Sequence, residues 1–170
     1  MGRDKALLLV AGTPMALRVA GALRAGGCES VVAIGGDADA LAAAGLATIV
    51  DRWPGEGPLG GVITALEQFR DLDAVVVAAC DLPQLSSGTI AALIHELNAA
   101  PDSTDVAMAI TDRRQPLCAA WRPRAVAQLS AVFAVGGRRL LDALDDLAVL
   151  DVMVASEQLI NVNTVNDLPG

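Results

Sequence analysis

Apolar residues along this chain fall into short continuous runs that alternate with stretches of helical spacing, and glycine or proline marks most of the joints. The strongest run is Ala-Val-Val-Val-Ala-Ala-Cys at 74–80, uninterrupted as in a strand whose faces are both covered by helices. It predicts a central parallel strand. Asp81, Leu82 and Pro83 follow, and the proline forbids continuing the ladder. Asp81 is thereby placed at the carboxyl edge, where open α/β sheets bind ligands.

The pattern on either side supplies the other elements. Residues 6–11 form a short apolar piece that reads equally as a strand or a helix end. Gly12-Thr13-Pro14 gives a turn, a capping hydroxyl and a proline at the first helical position, and Leu17, Ala20, Gly21 and Leu23 carry one apolar face to Gly26-Gly27. A β-branched run at 30–34 ends in Gly35-Gly36, Asp37 caps a helix that Gly45 stops, and 46–50 is the next strand. Two prolines and two glycines make 51–59 a loop, and 60–69 reads as helix.

Beyond Asp81, Ser86 or Ser87 caps a helix whose Ile90, Leu93, Ile94 and Leu97 share a face. Strands at 105–110 and 117–121, joined through 111–116, predict an antiparallel hairpin. Pro123 opens a helix broken at Gly136-Gly137, residues 138–147 form a shorter one, 148–154 is the last strand, and 161–168 closes the chain. This alternation is that of a doubly wound α/β fold, mostly parallel, with helices on both faces and the hairpin as an antiparallel edge.

Composition narrows the picture. At 170 residues the chain predicts a single domain, and a content of 54% hydrophobic but 2% aromatic residues points to a core of small aliphatic side chains. No apolar run is long enough to span a membrane and the amino terminus lacks the order of a secretory signal, so a cytoplasmic protein is expected. The net charge of -8, with no basic run beyond Arg113-Arg114 and Arg138-Arg139, argues against a nucleic-acid partner. Cys28, Cys80 and Cys118 lack a paired spacing and read as free thiols.

Few residues carry candidate chemistry, and most have two readings. Lys5, the only lysine, is either solvated surface or a phosphate contact. Gly57-Pro58-Leu59-Gly60-Gly61 leads into a helix amino terminus suited to an anion or a polar base edge, and also marks an ordinary turn. Asp81 is a magnesium ligand, since that ion takes one or two carboxylates and completes its shell with water and phosphate, or a cap on the turn through Leu85. Asp51 holds a ribose or base, or is a solvated loop carboxylate. His95 faces solvent and has no triad partner. Asn161 and Asn163 present two amides on one side of an extended segment, as a loop clamp or as substrate contacts.

Five pieces occur in one order: Asp4-Lys5-Ala6-Leu7-Leu8, Gly57-Pro58-Leu59-Gly60-Gly61, Cys80-Asp81-Leu82-Pro83, Gln115-Pro116-Leu117-Cys118-Ala119 and Asn161-Val162-Asn163-Thr164. The set resembles the molybdenum cofactor guanylyltransferases, nucleotidyltransferases with a Rossmann-like sheet, from Met1 to Leu168. The resemblance implies magnesium-dependent transfer of GMP from GTP to molybdopterin with release of pyrophosphate. By the same resemblance Lys5 contacts the nucleotide phosphates, Gly57 and Gly61 line the guanine side, Asp81 holds magnesium, and Arg139, Asn161 and Asn163 face molybdopterin. It also implies contact with proteins that make or accept the molybdenum cofactor.

Two departures accompany the matches. Members of that family begin with a buried strand and a glycine-rich loop, roughly L-A-G-G-x-S-x-R-M-G-x-D-K, whereas Met1-Gly2-Arg3-Asp4-Lys5 corresponds to its end. The resemblance therefore implies a domain incomplete at its amino terminus, without the first strand and most of the phosphate loop. The proline after Asn-x-Asn-Thr is replaced by Val165. Alongside guanylyl transfer stand a related transferase using another nucleotide such as CTP, and a truncated remnant that only binds a partner.

Overall fold

The structure is a computed structural model that describes residues 5–162. After a 3-10 turn at Lys5–Leu7, β1 (Leu9–Val10) and β2 (Thr13–Pro14) form a small antiparallel hairpin. Ala11 and Gly12 turn it with φ of 48° and 79°. The Met15 N–H donates to the Leu8 carbonyl at 2.9 Å. Thr13-Pro14 is thereby drawn into the hairpin instead of starting the helix, and α1 (Met15–Ala25) begins without a side-chain cap.

Next come β3 (Ala33–Ile34), α2 (Ala38–Ala43) and β4 (Thr48–Ile49), with β3 and β4 parallel and Asp37 capping α2 through the Ala40 N–H as its spacing predicts. The ladder covers only two residues of each predicted strand. Gly57, at φ 90°, precedes α3 (Pro58–Gln68), so Pro58 takes the first helical position and the helix starts two residues before Gly60. Then follow β5 (Val75–Ala78) and α4 (Ser87–Ala99), the latter capped by Ser86 through the Thr89 N–H at 3.1 Å.

The expected hairpin is present, but not at an edge. The strand β6 (Val106–Ile110) pairs antiparallel with β7 (Arg114–Trp121), and β7 lies between β5 and β6 in the order β5-β7-β6-β8. The edge beside β6 is taken by β8 (Val149–Met153), parallel to it. Strands β5, β6 and β8 share one direction and β7 opposes them. The 74–80 run thus gives a strand whose paired neighbour is antiparallel β7, not a central parallel one. Its apolarity reflects helix cover on both faces, which says nothing about which strands lie beside it. Between β7 and β8, α5 (Val126–Ala134) is regular, whereas 138–147 forms only a 3-10 turn at Leu141–Ala143.

Each face of the four-stranded sheet has its own core. On one, Leu59, Ile63 and Leu66 of α3 and Leu129 of α5 pack on Val106, Met108 and Trp121. On the other, Val19 and Leu23 of α1 and Ile90, Leu93 and Leu97 of α4 pack on Ala107, Cys118 and Ala120. Small side chains on the sheet let the helices approach closely. The three cysteines are free, and burial among apolar residues pushes the Cys118 thiol up to about 12 and raises Cys28. Among the described residues no helix is long and apolar enough to cross a membrane.

Candidate active site

Asp81 follows the end of β5, and its side chain is 10% exposed. A carboxylate withdrawn from water to that degree requires a compensating partner, and Lys5 Nζ supplies it at 2.6 Å. The lysine is 49% exposed, so its ammonium bridges the carboxylate and solvent. The turn after Asp81 is closed by the Leu85 N–H donating to the Leu82 carbonyl at 3.1 Å. The Asp81 side chain is engaged by Lys5 while this backbone bond closes the turn.

The backbone carbonyl of Asp81 accepts the Val162 N–H at 2.9 Å, which fixes the Asn161-Val162 segment beside the strand end. Asn161 is exposed there. Asn163 lies outside the described residues. Arg139 is 77% exposed, its guanidinium 3.7 Å from Asp142 in the same turn, and it does not line the cleft described next.

A cleft of about 1010 Å³ opens beside Lys5 and also takes in Asp51, Gly57 and Gly61. Four of the predicted site residues therefore share one concave surface, with Asp81 joined to it through Lys5. Asp51 is neither free nor simply solvated. Its Oδ1 accepts from the Trp53 N–H at 3.1 Å and from the Thr64 hydroxyl at 3.3 Å, which ties the loop after β4 to α3. Gly57 brings the first turn of α3 to the cleft, where unpaired N–H groups and the positive helix end favour a polar or anionic ligand. A Cβ at Gly61 would meet nothing within 4 Å, so this face of the helix is open to a ligand.

Three contributors were not anticipated. Thr64 couples Asp51 to the Gly60 carbonyl, which it reaches at 3.0 Å, and hydroxyls inside a helical pattern carry no sequence signal for such a role. Arg138, not its neighbour Arg139, reaches the 51–59 loop, pairing with Glu56 at 2.6 Å over the Phe133 ring. Gly35-Gly36, both at positive φ, line the cleft at the end of β3. That pair was legible as a glycine turn at the same sheet edge as Asp51.

No group of three or more His, Cys, Asp or Glu side chains suited to a metal occurs among the described residues. A lone carboxylate fits magnesium only when phosphate oxygens and water complete the shell, so the donor set suits an ion that arrives with a nucleotide.

A family model described as MobA-like NTP transferase domain matches residues 1–147. A probable molybdenum cofactor guanylyltransferase of Chloroflexus aggregans is 33% identical over 98% of this chain and 85% of its own length. Another from Synechococcus elongatus is 29% identical over 98% of this chain and 89% of its own length. Among solved structures, molybdopterin-guanine dinucleotide biosynthesis protein A from Archaeoglobus fulgidus superposes with a TM-score of 0.78 at 24% identity, covering 96% of this chain and 86% of that one.

Proposed function

The chain belongs to the molybdenum cofactor guanylyltransferases of the MobA-like NTP transferase family, and from that premise we propose that it transfers GMP from GTP to molybdopterin with magnesium bound at Asp81. Membership makes it a nucleotidyltransferase that uses GTP. The acceptor, the metal and the residue roles are our reading. The observation that carries it is the Lys5–Asp81 pair at the carboxyl edge, on the same cleft as the amino terminus of α3.

In this reading an oxygen of the molybdopterin phosphate attacks the α-phosphorus of GTP, the α–β bond breaks, and pyrophosphate leaves. Magnesium supplies charge neutralisation across the phosphates when bound. With GTP bound, Lys5 would turn from Asp81 toward the phosphates and offset the charge that accumulates on the leaving group, and Asp81 would hold the metal that arrives with the nucleotide. Such a transfer needs placement and preorganised charge, and no covalent intermediate. Asp51, already fixed through Oδ1, keeps Oδ2 for a ribose hydroxyl, while Gly57 and Gly61 let the guanine edge approach backbone. Arg139, Asn161 and Asn163 receive the molybdopterin, whose phosphate calls for a cation and whose pterin edge calls for paired amides.

Competition titrations with magnesium present separate this from transfer of another base. GTP displacing a fluorescent guanine nucleotide well ahead of CTP and ATP supports the assignment. Preference for CTP transfers it to cytidylyl chemistry.

A further inference from the structure

The loop from Asp51 to Gly57 is a wall between two spaces. On one side Asp51 and Gly57 line the cleft, and on the other Trp53 and Glu56 line a second cavity, of about 490 Å³, against α5. With a cavity behind it, the wall is not backed there by close-packed core. Its backbone is also permissive, since Gly55 and Gly57 sit at φ of 83° and 90°. Helix α3 anchors the loop at its end through the fully buried Leu59, and the rest depends on side chains that cross to it from elsewhere.

Arg138 supplies the crossing. Its Nε donates to Glu56 Oε2 at 2.6 Å, and its backbone carbonyl lies 3.5 Å from where a Cβ on Gly57 would stand. Side chain and main chain of one residue thus touch two adjacent residues of the loop. The guanidinium is itself held in place. Its Nη1 donates to the Phe133 carbonyl at 3.0 Å and the Gly137 carbonyl at 2.9 Å, and its carbon lies 4.1 Å from the centroid of the Phe133 ring.

A second contact acts on the same side of the loop. The chain has two tryptophans, two phenylalanines and no tyrosine, and one of each meet here, Trp53 and Phe133, with ring centroids 5.0 Å apart and planes at 52°. Gly60 leaves room for this, because a Cβ there would stand 3.1 Å from the Trp53 Cβ. The loop is therefore fastened to the α5 end at residues 53 and 56, on the face turned away from the cleft. The side chains of Arg138 and Glu56 are 40% and 50% exposed, and an ion pair that open to water contributes little to global stability. Its effect is local: it narrows the conformations open to Glu56 and Gly57 without deciding whether the domain folds.

We propose that Arg138 is a positioning residue for the nucleotide base. Acting through Glu56 and Phe133, it sets the Gly57 backbone in place before the nucleotide arrives, so that guanine discrimination depends on a side chain outside the cleft. The inference rests on the reading that Gly57 lines the guanine side. A wall already in place avoids the ordering cost that a loose loop incurs on binding. The base gains from this, whereas the phosphates, held at Lys5 and the first turn of α3, do not.

Displacement titrations with magnesium test it, measuring GTP, CTP and inorganic tripolyphosphate on residues 1–170 and on Arg138→Ala, Glu56→Ala and the double variant. GTP affinity should fall about tenfold in each single variant and little further in the double. Tripolyphosphate binding and melting temperature should stay close to wild type. Exchange of the Glu56 amide, which donates to the Trp53 carbonyl at 3.1 Å, should quicken in both single variants while that of Leu93 in α4 stays slow. Wild-type GTP affinity in either single variant overturns the proposal; if it is kept only in Glu56→Ala, Arg138 serves the end of α5 instead. Equal losses of GTP and tripolyphosphate also overturn it. A wild type that binds GTP no better than CTP defeats the guanine-side reading and this inference with it, whereas a wild-type preference that persists in the variants removes Arg138 alone.

Discussion

Lys5 Nζ lies 2.6 Å from Asp81 Oδ2 although 76 residues separate them in the chain. The pair joins the first described residue to the end of β5, and it gives a nearly buried carboxylate a cationic partner. Removing or supplying a ligand for either member should therefore be felt at both.

Asp81→Asn keeps the side-chain shape and leaves untouched the backbone carbonyl that accepts Val162 N–H. The fold should survive, with its melting temperature close to wild type. Loss of one preorganised electrostatic contact typically costs ~2.7 to 4 kcal/mol in the transition state, so transfer should fall about a hundredfold or more. A well-folded variant with wild-type rates would remove Asp81 from the mechanism.

Lys5→Met removes the cation and leaves Asp81 at 10% side-chain exposure without it. Thermal stability should fall, and the double variant Lys5→Met/Asp81→Asn should lose less than the two single variants added together. Strict additivity in the melts would mean that the 2.6 Å contact contributes nothing in solution.

At Gly61 an added side chain meets nothing in the fold, and the residue sits in the first turn of α3. Gly61→Val should therefore leave stability nearly unchanged, since the backbone entropy recovered on replacing a helical glycine is largely offset by the χ1 freedom a β-branched side chain loses in a helix. GTP affinity should drop more than that for other triphosphates. Equal losses for GTP, ATP and CTP in a binding titration would contradict a guanine-side role.

Cys118 has its thiol pushed up from 9.0 to about 12 by burial between β5 and β6. A raised pKa favours the neutral thiol in the folded protein. Its contribution to stability is complete below about pH 9 and is lost as pH rises toward about 12, because only the unfolded chain ionises early. Denaturant melts at pH 8 and pH 11 should show this loss in wild type and a smaller one in Cys118→Ala. Identical pH slopes would contradict it.

How much was legible depended on the range of the interaction. The Ser86 and Asp37 caps, the Ile90-Leu93-Leu97 face and the 74–80 strand are local patterns, and each is present. Strand order is not local. The position of β7 between β5 and β6 follows from long-range pairing that an apolar run cannot encode. Thr13-Pro14 was misread for a related reason, because the Met15–Leu8 hydrogen bond redirected a good helix start. At the site, Lys5, Gly57 and Gly61, which the resemblance singled out, converge on one cleft with Asp51, which was read from its place at a strand end, whereas Thr64 and Arg138 act through contacts visible only once α3 and α5 are packed.

The most direct measurement of the central claim follows labelled phosphorus. The purified protein is incubated with magnesium, molybdopterin and GTP carrying label on either the α- or the γ-phosphate. The account predicts that α-label moves into a molybdopterin dinucleotide while γ-label leaves as pyrophosphate, and that α-labelled CTP gives little product. Release of γ-label as orthophosphate with no α-label transferred, or equal transfer from CTP, would contradict it.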